Sequence, residues 1–423
     1  KNVKKLFGTK PDINIMFLDE AHFGMSTKKA KNIVDFFNST IENTIKIYVT
    51  ATYNKPIETY GISSNSTLTW DLNDIKIMQN LNEETITNNS IQDRFNKSIY
   101  TDALKYFGDN TGISLIDNLK KEYNVYPKPH LITTVWDNKR LDIERQKVGN
   151  TEFGWDMNKL FSTEKDSFKN EEQIRVMMRY YFGYPVKGDN YADQSFFRKD
   201  GILPRIQDIC LEKSCRTLQP QHKTTQLWFL PVGSGIIENK INALIILFKS
   251  SEFKEIKQKY HFFVAVMVND ENQITDNGVT YLKKARDIKR EIEAVEKKMK
   301  QESLSDNLII LAGSRLQLGI SLRNVDIVTL WNSSSSEDAM YQMMFRSMTE
   351  VNVPPCKPKA YCNEKKYGFM VDMNPQRALS TTLLFGTNLS KAGGNTQQYR
   401  QITDLISIDE DIMKARYGDD AKG

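Results

Sequence analysis

Apolar residues along this chain fall into two kinds of run. Ile13 to Leu18 and Ile45 to Val49 are near-continuous apolar stretches of strand length. Runs of that kind suit a parallel sheet covered on both faces. Between them, Ala30, Ile33, Val34 and Phe37 recur at helical spacing, which completes a βαβ unit. Asn54-Lys55-Pro56 interrupts the pattern, and Thr67 to Leu72 reads as a further short strand. From Leu81 to Pro220 the signal weakens: His130 to Trp136 reads as strand, Ile174 to Phe182 as helix, and Asn, Gly and Pro divide the rest. Loops of that length without structure are uncommon, so the region is expected to fold, mostly as helices. Strong patterning resumes with a strand at Leu227 to Leu230, a glycine turn at Gly233-Ser234-Gly235 and a helix over 236–249. A strand at Phe262 to Val268 follows, then a long charged helix from Tyr281 to Ser303 with its seam at Leu282, Ala285, Ile288, Ile292, Val295 and Met299. That seam lasts about three heptads, which favours packing on the domain's own surface over a coiled-coil partner. Strands at Leu308 to Ala312 and Val325 to Val328 and a helix opening at Ser336-Glu337-Asp338 complete the series. The expected fold class is α/β.

The chemistry gathers at strand ends. Ile15-Met16-Phe17-Leu18 runs straight into Asp19-Glu20, and His22 follows. Open α/β sheets keep ligands at the carboxyl ends of their strands. An aspartate there can hold Mg²⁺ beside a triphosphate, and the adjacent glutamate can polarise a water. An acidic loop after an ordinary strand would look the same. The downstream order narrows the choice: Thr50-Ala51-Thr52 after the second strand, Gly313-Ser314-Arg315 after the strand at 308–312, then Gly319-Ile320-Ser321, then Gln342 and Arg346 four apart on a helix.

This series resembles the superfamily 2 helicases and translocases. Asp19-Glu20-Ala21-His22 is similar to their DEAH motif II, Thr50-Ala51-Thr52 to motif III, Gly319-Ile320-Ser321 to motif V, and Gln342 with Arg346 to motif VI. The resemblance implies two RecA-like parallel-sheet domains with a largely helical insertion. The first domain's carboxyl-terminal part would span residues 1–80, the insertion 81–220, the second domain 221–390, and an extension 391–423. It implies ATP and Mg²⁺ as cofactors, with Asp19 on the metal and Glu20, Gln342 and Arg346 as catalytic residues. His22, Gly319 and Ser321 would lie at the nucleotide, and Thr50 and Thr52 would couple the domains. Arg346 would be an arginine finger; an ordinary surface pair with Glu350 is the competing assignment. Gly233 and Ser234 in the motif IV region, with Ser314 and Arg315, are expected on a nucleic-acid backbone, DNA before RNA. A plain strand-to-helix turn at Gly233 stays open. Motif VI usually carries Gly before the arginine and a second Arg three positions after it, where Phe345 and Thr349 stand here, and Ser321 replaces the usual motif V acid. The narrower likeness is to restriction-enzyme motors and the helicase-like proteins of large DNA viruses.

A G-x-x-x-x-G-K-[ST] phosphate loop is absent; Phe7-Gly8-Thr9-Lys10 lacks the first glycine and leaves no room for a helix. The chain opens on Lys1 rather than Met, and a P-loop is expected upstream in a longer parent. Two alternatives stand beside a helicase: a duplex-DNA translocase that does not separate strands, and a non-catalytic nucleic-acid-binding fragment. A net charge of +5 over 423 residues permits nucleic-acid binding without demanding it. No apolar run approaches the ~18 residues of a membrane span, and an intracellular site, cytoplasm or virus factory, is expected. Arg179-Tyr180-Tyr181-Phe182 and Phe196-Phe197-Arg198-Lys199 interleave aromatics with cations. Base stacking is conceivable, but core aromatics with snorkelling charges are the favoured assignment. The cysteines form two close pairs, Cys210/Cys215 and Cys356/Cys362. Reduced structural thiols are the expectation, with a zinc joining both pairs as the alternative.

Overall fold

A computed structural model describes residues 15–18, 45–49, 61–63, 66–67, 75, 78–79, 122–134, 156–184, 201–219, 222–233, 235–302, 307–313, 316, 320–333, 337–350, 365–374, 377–378 and 407–408. Two compact units divide the chain, Lys1–Asp71 and Leu72–Gly423. In the first, β1 (Ile15–Leu18) pairs in parallel with β2 (Ile45–Tyr48), Ile15 opposite Ile45 and Phe17 opposite Ile47. The parallel pairing agrees with the expected βαβ unit. The expected burial on both faces is not seen among the described residues: Phe17 is 68% exposed, and Ile15, Ile45, Ile47 and Val49 are exposed to lesser degrees. The covering layer that parallel strands require is not among the described residues.

The second unit is built on one eight-stranded sheet, parallel throughout. Its strands are β3 (Lys128–Thr133), β6 (Thr225–Phe229), β7 (Tyr260–Val264), β8 (Val279–Tyr281), β9 (Asn307–Ala312), β10 (Val325–Leu330), β11 (Tyr367–Asp372) and the two-residue β12 (Ser407–Ile408). A small separate hairpin pairs β4 (Thr163–Glu164) with β5 (Ser167–Phe168). The order across the main sheet is β12-β3-β11-β10-β6-β9-β7-β8. Side chains alternate between two cores, as the period of two demands. Trp228, Ile309, Leu311, Ile327, Phe369 and Val371 point to one. Leu227, Phe229, Leu308, Ile310, Val328 and Met370 point to the other.

Helices close both faces. The first layer holds α1 (Met157–Leu160), α2 (Glu171–Phe182), α3 (Ile202–Glu212), α4 (Ile237–Lys249) and α5 (Lys254–Lys259). The second holds α6 (Ile288–Glu302) and α7 (Glu337–Met344). Helix α2 buries Ile174, Met177, Met178 and Tyr181 at 3.6-residue spacing. It stops at Gly183, whose φ of 76° suits glycine and whose N–H returns to the carbonyls of Arg179 and Tyr180. Arg175 and Arg179 both reach Glu252, tying α2 to the turn before α5.

Three sequence expectations shift. Strand β3 and helices α2 and α3 fall between residues 81 and 220, yet β3 pairs along its whole length with β11, and the helices pack on the same sheet. This part of the expected insertion is therefore structural to the second unit. The run Pro129-His130-Leu131-Ile132 is a sheet strand near the edge, where the missing proline N–H is tolerated. The long helix expected from Tyr281 begins only at Ile288, because Tyr281 ends a strand and both Glu291 oxygens accept the backbone N–H groups of Lys283 and Lys284. That contact folds the chain back against the first turn. The seam does face the domain's own core, with Leu282, Ile288, Ile292 and Met299 buried. The strand expected over Phe262–Val268 instead spans Tyr260–Val264.

Candidate functional site

The winding of the second unit decides where a ligand can sit. From β6 the chain runs through α4 to β7, on one side of β6. From β10 it runs through α7 to β11, on the other side. Strands β6 and β10 are neighbours. Their carboxyl ends therefore border a topological switch point, the crevice where open α/β sheets bind ligands.

Two loops form the lips of this crevice. One is Leu230 to Gly233, after β6. Buried Lys240 reaches back from α4 and donates to the carbonyls of Pro231 and Gly233, which fixes the loop from beneath. Burial lowers the pKa of its ammonium. The other lip is Trp331 to Ser333, after β10. Asn158 bridges them: its backbone N–H donates to Ser333 Oγ at 3.2 Å, and its carboxamide lies over Gly233. A Cβ on Gly233 would stand 2.8 Å from Asn158 Oδ1, the end of a side chain that would have to turn aside. Asp156 caps the turn that carries Asn158, accepting from the N–H groups of Asn158 and Lys159. Gly313, after β9, lies beside Val232 on the same edge.

A buried ion pair braces the second lip. Arg377 donates Nε and Nη2 to the two oxygens of Asp372, at 2.9 and 2.7 Å. Its Nη1 donates to the Asn332 carbonyl at 2.6 Å. This bidentate geometry joins the loops after β10 and β11.

The expected motif V and motif VI segments meet. Arg346 Nη1 donates to the Ile320 carbonyl at 2.6 Å, across 26 residues of sequence. Ile320 stands between Gly319 and Ser321, and Ser321 is exposed. Gln342 and Arg346 do not share one α-helix: α7 ends at Met344, and Arg346 lies in the 3₁₀ turn Phe345–Met348. Three residues per turn instead of 3.6 rotate it away from the helix face of Gln342. Asp19, Glu20, His22, Thr50, Thr52, Ser234, Ser314, Arg315 and Gly319 lie outside the described residues.

Sequence reasoning passed over the polar groups that organise the sheet. Asp326 sits at a β-bulge in β10, where the pairing with β6 skips one residue. Its carboxylate is fully buried and accepts from Arg216 Nε and Nη2, from His222 and from the Thr225 N–H. Burial alone would raise its pKa, but Arg216 and His222 hold it far below the usual carboxylate range. Tyr181 hydrogen-bonds Gln226 and Thr329 beneath the crevice, and burial pushes its hydroxyl pKa up. The available signal was an acid inside an apolar run: Asp326 within Val325–Leu330 and Asp372 after Met370-Val371.

No family model matches the sequence, and no curated protein matches it. Solved structures similar to it include a Dbp5 variant of S. cerevisiae bound to RNA and ADP BeF3, at 8% identity and TM-score 0.32 over 98% of this chain. The chain covers 64% of that protein's length. The Pyrococcus furiosus Hef helicase domain is similar at 11% identity and TM-score 0.28, covering 88% of this chain and 73% of that one. The C-terminal part of the Fun30 ATPase domain follows at 11% and 0.27, covering 60% and 89%.

Among the described residues no helix is long and apolar enough to cross a membrane, and no group of three or more His, Cys, Asp or Glu could hold a metal.

Proposed function

We propose that this chain is part of an ATP-dependent nucleic-acid helicase or translocase motor of the superfamily 2 kind, with RecA-like sheets. The observation that carries the proposal is the hydrogen bond from Arg346 to the Ile320 carbonyl. It joins the two segments that the motif order assigns to the nucleotide, within a doubly wound parallel sheet. In this reading Arg346 supplies positive charge to a γ-phosphate, and Asp19 holds Mg²⁺ at the end of β1. Glu20 orients and polarises the attacking water, and His22 and Ser321 stand beside the nucleotide. Bound Mg²⁺-ATP supplies the phosphoryl group whose transfer to water drives the cycle. Arg346 fits this role chemically, since a guanidinium anchored through one nitrogen is fixed in direction.

The crevice bordered by Gly233, Asn158 and Ser333 is the proposed contact for a nucleic-acid backbone. It presents small and neutral hydrogen-bonding groups, which suits binding independent of base sequence. The sequence has no P-loop, so the triphosphate's anchor comes from another segment. On these 423 residues alone, ATP hydrolysis is expected to be negligible.

Fluorescence titration of labelled single-stranded and duplex oligonucleotides at two salt concentrations tests the partner. Where cations such as Arg315 neutralise phosphates, affinity should fall with salt at a slope of about 0.7 per neutralised phosphate on single strands, while the neutral contacts of the crevice add nothing to that slope. Failure to bind any DNA or RNA would remove the motor reading. Binding without ATPase activity, even when a P-loop segment is supplied, would favour a non-catalytic nucleic-acid-binding protein.

A further inference from the structure

Helix α3 ends in a Schellman turn at the amino edge of the sheet, opposite the crevice. The Cys215 N–H returns to the Cys210 carbonyl at 2.8 Å, and the Ser214 N–H to the Leu211 carbonyl at 3.4 Å. Ser214 takes the left-handed conformation that this turn requires, with a φ of 52°. A Schellman turn sets the side chain after its left-handed residue against the one five positions earlier, a contact that apolar groups commonly fill. Here the two side chains are Cys215 and Cys210. Both are buried and unoxidised, and their thiols are in hydrogen-bonding contact.

The surroundings set one thiolate beside one thiol. The Cys215 sulfur accepts from the Cys210 thiol and from the backbone N–H groups of Thr217 and Tyr367. The Cys210 contact is the largest influence, and against burial these bonds lower the Cys215 pKa from 9.0 to about 5. The charge of buried Lys365 acts on the same sulfur. The Cys210 thiol, as the donor in that contact and itself buried, is pushed up. A thiolate is the form that attacks an oxidant, and a second thiol held against it converts the product to a disulfide.

We propose that Cys210 and Cys215 are a redox-active dithiol that closes to an intramolecular disulfide and clamps the end of α3. The oxidant is of the hydroperoxide class. The Cys215 thiolate attacks one peroxide oxygen, which forms a sulfenic acid and releases the other oxygen as hydroxide. The Cys210 thiol gives its proton to that hydroxide, making water, and its sulfur attacks the Cys215 sulfur. The S–S bond forms as the S–O bond breaks, and the departing hydroxide takes up the proton that Cys215 had released on ionising. Two thiols thereby lose two electrons and two protons, and hydrogen peroxide becomes two waters. Both sulfurs are enclosed, so a small oxidant reaches them as the helix end frays. Arg216, next to Cys215, is bound to Asp326, and Lys366 Nζ reaches the Lys213 carbonyl within the turn. The clamp therefore holds the helix end beside the starts of β10 and β11. The proposal does not depend on the motor reading.

Trypsin cuts between the two cysteines, after Lys213, so the disulfide reads as residues 206–213 joined to residues 214–216. The test treats the full 423-residue chain with hydrogen peroxide, alkylates it under denaturing conditions and identifies its tryptic peptides by mass. The joined peptide is expected, lighter than the sum of its parts by the hydrogens lost, and dithiothreitol should abolish it. The oxidised chain should melt about 3 °C above the reduced one. Cys210→Ala, treated alike, should show no such rise. Should that variant fail to fold, the wild-type peptide and melting data carry the test. Cysteines 210 and 215 that stay open to alkylation, or that link to another cysteine instead, overturn the proposal. So does a linked chain that melts no higher than the reduced one.

Discussion

His130 should make this protein acid-sensitive, by an amount the structure allows to be worked out. It lies in β3, 7% exposed, against the rings of Tyr367 and Phe369. Burial, with lesser contributions from Lys128 and Arg205, lowers its pKa from 6.5 to about 4. The folded state thus keeps the ring neutral where the unfolded chain would protonate it. The unfolded state binds more protons below pH 6.5, so stability falls as pH drops from 6.5 and levels off near 4. Two and a half pKa units correspond to about 3 kcal/mol across that window. Such a loss is a large fraction of a typical folding free energy. Replacing the ring by phenylalanine keeps the aromatic packing and removes the titration. Urea denaturation of wild type and His130→Phe at pH 7 and pH 4.5 isolates the effect, because other titrating groups cancel in the difference. The wild type should lose about 2.5 kcal/mol more than the variant. Equal losses would mean that His130 is not buried, and with it that β3 is not part of the sheet.

Asp326→Ala should cost about 3–5 kcal/mol in chemical denaturation, because it leaves Arg216 buried without its partner. Asp326→Leu with Arg216→Met should recover most of that loss, and a single substitution without effect would refute the assigned burial. Gly233→Ala should cost only about 0.5–1.5 kcal/mol, since the new Cβ meets the end of the Asn158 side chain at 2.8 Å and that side chain can turn aside. Adding Asn158→Ala should restore stability, measured by thermal melts; no recovery would mean the carboxamide is elsewhere. Arg346→Ala should lower nucleic-acid-stimulated ATPase in a polypeptide that also carries a P-loop by at least ~10³-fold, and an undiminished rate would remove the finger assignment.

The parallel sheet was legible because burial on both faces writes itself as continuous apolar runs. The strands at 225, 307 and 325 and the helix at 171 came from those runs and from 3.6-residue spacing. The start of α6 was not legible, because the decision between strand and helix at Tyr281 rests on Glu291 reaching back to Lys283 and Lys284, a contact without periodicity. The membership of β3 in the main sheet was hidden for a similar reason: its partner β11 lies 239 residues on, and only tertiary pairing reveals it. At the site, glycine after a strand pointed to Gly233, but nothing local could place Asn158 over it from 75 residues away. Asp326 was visible as a charge in an apolar strand, whereas its partners Arg216 and His222 precede it by more than a hundred residues.

The central claim, that Asp19 and Glu20 at the end of β1 serve ATP hydrolysis, is tested most directly by Glu20→Gln. The measurement pairs ATP affinity with single-turnover hydrolysis, in a polypeptide that joins this chain to a P-loop, with nucleic acid present. Polarising water contributes to the transition state and little to ground-state binding. The account predicts unchanged ATP affinity and a hydrolysis rate lowered by at least ~10²-fold. A variant that hydrolyses ATP at the wild-type rate would contradict it.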